Sequence, residues 1–379
     1  MGYMTEERRL IQETARAFAM KEVLPVANKL DPEKGDIPPE LIQKLADMGY
    51  FGIVIPEQYG GLGLGVFEYC LITEELARAW MSVASIIARG NGLSAGRGMT
   101  DAQRAVFLPR AARGEFLGAA AISEPNVGSD LGSIACRARR DGDSWVINGT
   151  KMFITNGVRA NFLTLVAQTD PGSGHRGVSL FIVDTASPGV SVSRKLDKLG
   201  MLSSDTAEIS LEDVVVPNAN LIGDEPGQGF AQLMWQLQYE RLSGAAGSIG
   251  AAQEILDQTI TYARERRAFG RPIADHQVIA HKLADAATEL EAARALFCSV
   301  VWRIQEGEYP VAEISMAKKY AAQVSNRLID TCVQVHGGVG YMAEFPVSRA
   351  YRDARLWRIG AGTDEIMNEV IAKRLGISG

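Results

Sequence analysis

Residues 229–270 read GFAQLMWQLQYERLSGAAGSIGAAQEILDQTITYARERRAFG. A helical period runs through the whole stretch, and it predicts one helix of about forty residues where ~11–12 is usual. A rod of that length needs partners along its side. The chain supplies them in HQVIAHKLADAATELEAARALFCSVVWRIQEG, PVAEISMAKKYAAQVSNRLIDTCVQVHGG and PVSRAYRDARLWRI. Long helices joined by short loops form an antiparallel bundle, expected here over residues 226–379.

The rest divides in two. Residues 1–115 read as helices. Thr5 before Glu6 and Glu7 is a start signal, and PPELIQKLADMGYFG opens on prolines and closes on glycine. Residues 116–225 alternate apolar and polar positions with glycine-containing turns, as in DGDSWVINGTKMFITNG. FLTLVAQT, GVSLFIVDT, GVSVSRKL and TAEISLEDVVV add strands with no long helix between them. That pattern predicts an antiparallel sheet or barrel rather than a βαβ wind. The expected class is α+β: an N-terminal helical domain, a central antiparallel β-sheet or barrel domain and a C-terminal four-helix bundle.

Several function classes fall away. A net charge of −6, from 39 basic and 45 acidic residues, gives no electrostatic case for nucleic acid or an anionic membrane. No apolar run reaches the eighteen residues of a membrane span. Cys70, Cys136, Cys298 and Cys332 are scattered, which fits a reducing compartment and no zinc site. The four histidines form no metal motif. The N-terminus is charged and helix-like, unlike a signal peptide, and lacks the Ser or Thr of a myristoylation signal. The start at Met1 favours a bacterial cytoplasm, with the mitochondrial matrix as the alternative. Gly60–Gly65, GGLGLG, follows no strand and has the wrong spacing for a dinucleotide fingerprint, so it reads as a turn. No P-loop occurs.

Two stretches are more informative. In ISEPNVGSD (122–130) a strand runs into a polar turn whose amides and hydroxyls can donate to ring carbonyls or phosphates. In GTKMFITNG (149–157) an aromatic, Phe153, and a hydroxyl, Thr155, share one face at period 2. Such a pair could flank a flat redox ring. Alone, each stretch also fits an ordinary turn or half-buried strand.

Taken together, PEQYGGLG, ISEPNVGSD, NGTKMFITNG, KLGMLSSDTAEISLEDVVVP, YARERRAFGRPIADHQ, QVHGGVGY and RDARLWRIGAGTDEI resemble the acyl-CoA dehydrogenase family, in its order and spacing, over nearly the full length. The resemblance implies the three-domain α–β–α fold, usually as a homotetramer. It also implies one non-covalent FAD per subunit, oxidation of an acyl-CoA to the trans-2-enoyl-CoA, and an electron-transfer flavoprotein as acceptor. Ile122, Ser123, Ser129, Phe153 and Thr155 then look like flavin-ring contacts, and Arg266 like a pyrophosphate ligand whose planar fork suits phosphate. Phe269, Gln277 and the run Gln334, Val335, His336, Gly337 and Gly338 resemble cofactor contacts made across a subunit interface. Thr363, Asp364 and Glu365 match a further FAD-contacting turn. Ser129, Tyr239, Arg241, Gly360, Ala361 and Gly362 match substrate contacts.

One position departs from the common pattern. Ala361, in WRIGAGTDEIM, stands where many members carry the carboxylate that removes the substrate's α-proton. Either the chemistry is lost or the base lies elsewhere. On the long helix, Glu240 shares a face with Leu233, Leu237, Gly244, Gly247 and Ala251. A lone carboxylate on such a stripe is suited to act as a base, and the glycines leave room for a ligand to lie against the helix. From the helix alone, Glu240 could equally pair with Arg241 or Arg264 or face water. A minority of the family, including isovaleryl-CoA dehydrogenase, takes its base from this helix position, so the resemblance points to Glu240.

Gly360 replaces the tyrosine of many straight-chain members and opens space beside the β-carbon. Isovaleryl-CoA is therefore the expected substrate. Longer terpenoid-type chains such as citronellyl-CoA are the alternative, and a non-catalytic acyl-CoA-binding scaffold subunit is a reading from a different class. The related oxidases often carry an added C-terminal domain, and a nitroalkane-oxidase-like enzyme is expected to have aspartate at the place of Ala361.

Overall fold

The computed structural model describes residues 2–94, 98–223 and 225–377, and of residues 89–94 the backbone alone. Helix α1 (Glu6–Phe18) starts where Thr5 accepts the Arg8 N–H. It passes through a widened turn at 19–23 into α2 (Leu24–Leu30). Then come α3 (Pro39–Asp47), α4 (Val66–Ala79), α5 (Met81–Ser94) and α6 (Asp101–Ala112). Trp80 breaks α4 from α5 with extended backbone (φ −162°, ψ 110°). The predicted turn at Gly60–Gly65 is a loop.

Seven strands follow: β1 (Gly118–Ala121), β2 (Arg137–Asp141), β3 (Ser144–Thr155), β4 (Phe162–Gln168), β5 (Val178–Asp184), β6 (Val190–Lys195) and β7 (Thr206–Pro217). They form one curled sheet in the order β1-β4-β2-β3-β7-β6, with β5 on the other edge of β4. Most pairs are antiparallel, as the hairpin pattern predicts. β1, however, runs parallel to β4, with Gly118 opposite Phe162. The β2–β3 hairpin lies between them in sequence, so the crossover is made by strands instead of the helix usual for a parallel pair.

The predicted rod is α7, Gly229–Glu265, 37 residues without a break. A small hairpin, β8 (Arg267–Ala268) and β9 (Arg271–Pro272), leads to α8 (Gln277–Gln305), α9 (Val311–His336), α10 (Pro346–Ala354) and α11 (Asp364–Arg374). Only α7, α8 and α9 are long, and α4 from the N-terminal half packs on α7 beside them. The approach is close: a side chain at Gly250 would run into the Glu74 carbonyl oxygen. Charge is buried here too. Glu75 takes Arg16 at 2.9 Å and Arg78 at 3.0 Å, and Glu74 pairs with Arg294. No helix among the described residues is long and apolar enough to cross a membrane.

One core lies among the helices and a second under the sheet. The β6–β7 loop joins them. Gly200 presses on the backbone of Arg352, and Met201 N–H donates to buried Asp353 at 2.5 Å. This loop fixes α10, and with it the chain that leads to residues 360–362, against the sheet.

Candidate active site

The first group of expected residues gathers where β1 ends beside β3. Met152 N–H donates to Ser123 O at 2.8 Å. Lys151, fully buried, donates to Ile122 O at 3.1 Å and to Glu124 Oε1 at 2.8 Å. The Glu124 carboxylate also accepts from Ala135 N–H (2.7 Å) and Cys136 N–H (3.0 Å). A buried ion pair needs such satisfaction of its remaining lone pairs. Neither Glu124 nor Lys151 is among the residues expected from sequence. The available signal was a lysine on the inward phase of a strand.

Strict alternation would place Lys151, Phe153 and Thr155 on one face. A β-bulge between Lys151 and Ile154, opposite Ile209 to Ala207 on β7, resets the phase. Phe153 sits in it with φ 61° and turns outward, 67% exposed, while Lys151 stays inside. Left-handed backbone costs a non-glycine residue ~1–2 kcal/mol, and strain held at an exposed aromatic points to function. Ile154 is buried, and Thr155 returns to the outward side, half-buried. The turn beyond is fastened by Asp205. Its backbone carbonyl accepts Asn156 N–H at 3.0 Å, and its carboxylate accepts Val158 N–H at 2.7 Å and Arg159 Nε at 2.5 Å. Ile122 and Ser123 are half-buried and Ser129 is exposed.

The second group gathers where α7 meets the turn before α11. Ala361 has φ 55° and Gly362 φ 103°. Arg241, buried beside half-buried Glu240, donates Nε to Ala361 O at 3.2 Å and Nη1 to Gln238 at 3.2 Å. Burial pushes its pKa down, while Tyr309 and Glu240 oppose the shift. Lys318, on α9 and 1% exposed, donates to Gly362 O at 2.6 Å. Burial lowers its pKa to about 8. Thr363 caps α11 by accepting Ile366 N–H at 3.3 Å. The buried Asp364 carboxylate accepts from Gln323 (3.0 Å) and Arg358 (2.8 Å), while Glu365 is exposed. Tyr239 packs against Trp235, with ring centroids 4.8 Å apart.

The groove expected along Gly244 and Gly247 is not left open. Trp357 lies in it: a Cβ on Gly244 would stand 2.9 Å from the indole ring, and one on Gly247 3.6 Å. The glycines accommodate the chain's own tryptophan. At Gly360 an added Cβ would meet nothing closer than 3.7 Å.

The third group lies at the far end of α7. Arg266 ends the helix and is exposed. Phe269 (φ 51°) and Gly270 (φ 81°) form the tight turn of the small hairpin, with Phe269 95% exposed. Gln277 opens α8. Gln334, Gly337 and Gly338 are exposed at the end of α9, Val335 is buried, and His336 stacks on Tyr262 at 4.4 Å. At ~1.5 Å per residue, Arg266 is roughly 39 Å along the rod from Glu240. One chain therefore does not bring this group to Glu240.

An outward aromatic beside a hydroxyl, with half-buried Ile122 and Ser123 adjoining, fits the flat ring of a flavin. Curled sheet and rod-like bundle make an α–β–α architecture, the class in which such a face would take a flat redox cofactor. The comparisons make the family definite. Models of the acyl-CoA dehydrogenase N-terminal, middle and C-terminal domains match residues 5–115, 119–214 and 227–376. Isovaleryl-CoA dehydrogenase, mitochondrial, of Oryza sativa is 38% identical, over 96% of this chain and 90% of its own. Caffeyl-CoA reductase-Etf complex subunit CarC of Acetobacterium woodii is 39% identical, over 98% and 99%. The crystal structure of a probable acyl-CoA dehydrogenase from Mycobacterium abscessus superposes with a TM-score of 0.94, at 41% identity over 99% of this chain and 100% of that one. The chain belongs to the acyl-CoA dehydrogenase family and is an FAD-dependent oxidoreductase acting on acyl-CoA thioesters.

Proposed function

We propose that the chain oxidises a short branched acyl-CoA, isovaleryl-CoA foremost, with Glu240 as the base. The observation that carries this reading is the bond from Arg241 to Ala361 O at 3.2 Å. It ties the residue next to Glu240 directly to the turn that lacks a carboxylate of its own.

The α-proton of a thioester is weakly acidic, so its removal needs a polarised carbonyl and a base within hydrogen-bond reach. The backbone N–H groups of the Ala361–Gly362 turn donate to the thioester oxygen. Glu240 accepts the α-proton at a carboxylate oxygen. When bound, FAD supplies the hydride acceptor for the β-hydrogen. Phe153 and Thr155 hold the flavin ring, and Arg266 pairs with a pyrophosphate. The space at Gly360 supports branching at the β-carbon, and Trp357 across Gly244 and Gly247 supports a short chain over a long terpenoid one. The ~39 Å between Glu240 and the Phe269 hairpin supports assembly, as a homotetramer, in which that hairpin serves a neighbour's flavin. The similarity to an Etf-complex subunit supports an electron-transfer flavoprotein as acceptor.

The test is anaerobic mixing with isovaleryl-CoA while flavin bleaching is followed. Wild type should bleach rapidly, and Glu240→Gln should lose about three orders of magnitude or more. Bleaching that survives in the variant overturns the base. Bleaching only with longer acyl-CoAs overturns the substrate but keeps the enzyme class.

A further inference from the structure

Lys318 lies on an apolar stripe of α9 with Ile314, Ala321 and Ser325, all buried. An ammonium group at 1% exposure is costly unless it is hydrogen-bonded or paired. Its Nζ reaches Gly362 O at 2.6 Å. Arg241, also buried, reaches the preceding carbonyl, Ala361 O. Two cations on two different helices thus hold two consecutive carbonyls of one strained turn. Of the charges acting on Lys318, Asp364 and Glu365 oppose the effect of burial and Arg241 adds to it.

The trans, planar peptide bond fixes what this does. A carbonyl turned inward sends the N–H of the same peptide unit outward. The units whose oxygens meet Arg241 and Lys318 carry the N–H groups of Gly362 and Thr363. These, and the Ala361 N–H, donate to no protein group among the described residues. A hydrogen bond to a charged donor also polarises the peptide and strengthens its N–H as a donor. Successive free N–H groups form a concavity suited to an oxyanion.

We infer that Lys318 is a positioning residue for the reaction: with Arg241 it grips the Ala361–Gly362 turn by its carbonyls and aims the turn's N–H groups at the thioester oxygen. This rests on the reading of the turn as the carbonyl's binding site. Lys318 touches no reacting atom, so its loss acts on the turnover step more than on binding of the CoA moiety.

The experiment compares wild-type holoenzyme with Lys318→Met and Lys318→Gln. The readouts are melting temperature, kcat and KM with isovaleryl-CoA, and anaerobic exchange of the substrate α-proton with deuterated water. Lys318→Met should remain folded, lose about 10- to 100-fold in kcat and in α-proton exchange, and keep KM within about threefold. Lys318→Gln, which retains a donor, should recover part of the loss. Folded Lys318→Met with kcat and exchange within about twofold of wild type overturns the inference. If the Met variant does not fold, folded Lys318→Gln decides it: a loss in exchange supports the role, and wild-type exchange overturns it. Glu240→Gln run alongside separates the two readings. Exchange that survives in Glu240→Gln but falls in Lys318→Met sinks the base and leaves the positioning role standing.

Discussion

Replacing Lys151 by Met should cripple the sheet before it affects any reacting group. Lys151 has no solvent exposure, and Glu124 is 5% exposed. The substitution removes the bonds to Glu124 Oε1 (2.8 Å) and Ile122 O (3.1 Å) and leaves a buried carboxylate without its cation. Breaking such a pair from one side costs ~3–5 kcal/mol. Because Glu124 retains the Ala135 and Cys136 N–H groups, the lower end, ~3 kcal/mol, is expected. At ~2–4 °C per kcal/mol for domains of this size, the melting temperature should fall by roughly 10 °C. The same loss removes one of the two bonds that hold Ile122–Ser123 to β3, leaving the Met152 N–H to Ser123 O, so FAD should be retained less well on dilution. The assay is thermal unfolding followed by flavin fluorescence and by circular dichroism. A double variant, Lys151→Met with Glu124→Gln, separates the pair from packing, since removing both charges should restore more than half of the lost stability. A Lys151→Met protein that melts within about 2 °C of wild type, or a double variant that merely adds the two single losses, would refute the reasoning.

Phe153→Gly should relieve the left-handed backbone by ~1 kcal/mol and yet weaken FAD binding, because the ring that faces outward is lost. Titration of apoprotein with FAD, set beside the apoprotein's melting temperature, checks that the two move in opposite directions. Asp353 gives a pH dependence. Burial raises its carboxyl to about 7, with Asp31 adding to the shift and Met201 N–H, Arg349 and Arg352 opposing it. The folded state therefore holds this proton where the unfolded chain has released it. Its contribution to stability is full below about pH 4 and is lost as pH rises toward about 7, by up to ~1.4 kcal/mol per unit. Asp353→Asn should flatten that slope in denaturation curves taken across this range, and an unchanged slope would count against it.

The rod, the hairpins and the flanking helices were legible because their signals are local: a sustained helical period, glycine turns and a threonine cap. The parallel setting of β1 on β4 was not, since it depends on where a remote hairpin folds back. Glu240 could be picked out as a carboxylate on an apolar stripe. The same reading applied to α9 would have found Lys318. The filling of the Gly244–Gly247 groove by Trp357 was invisible, because a run of small residues announces close approach without naming what approaches. The bulge at Phe153 was hidden for the opposite reason. It turns Phe153 outward while Lys151, two residues before it on the same phase of the strand, stays inside.

The 37-residue rod carries Glu240 on its body and leads directly into the Phe269 turn. If that turn completes a flavin site in a second copy, each site is assembled from two chains, and the two defects become genetically separable. A chain without its base and a chain without its hairpin would each be inactive as pure assemblies. Paired together, they would concentrate both lesions in one site and leave its twin intact. Two dead alleles would then restore part of the activity that neither possesses.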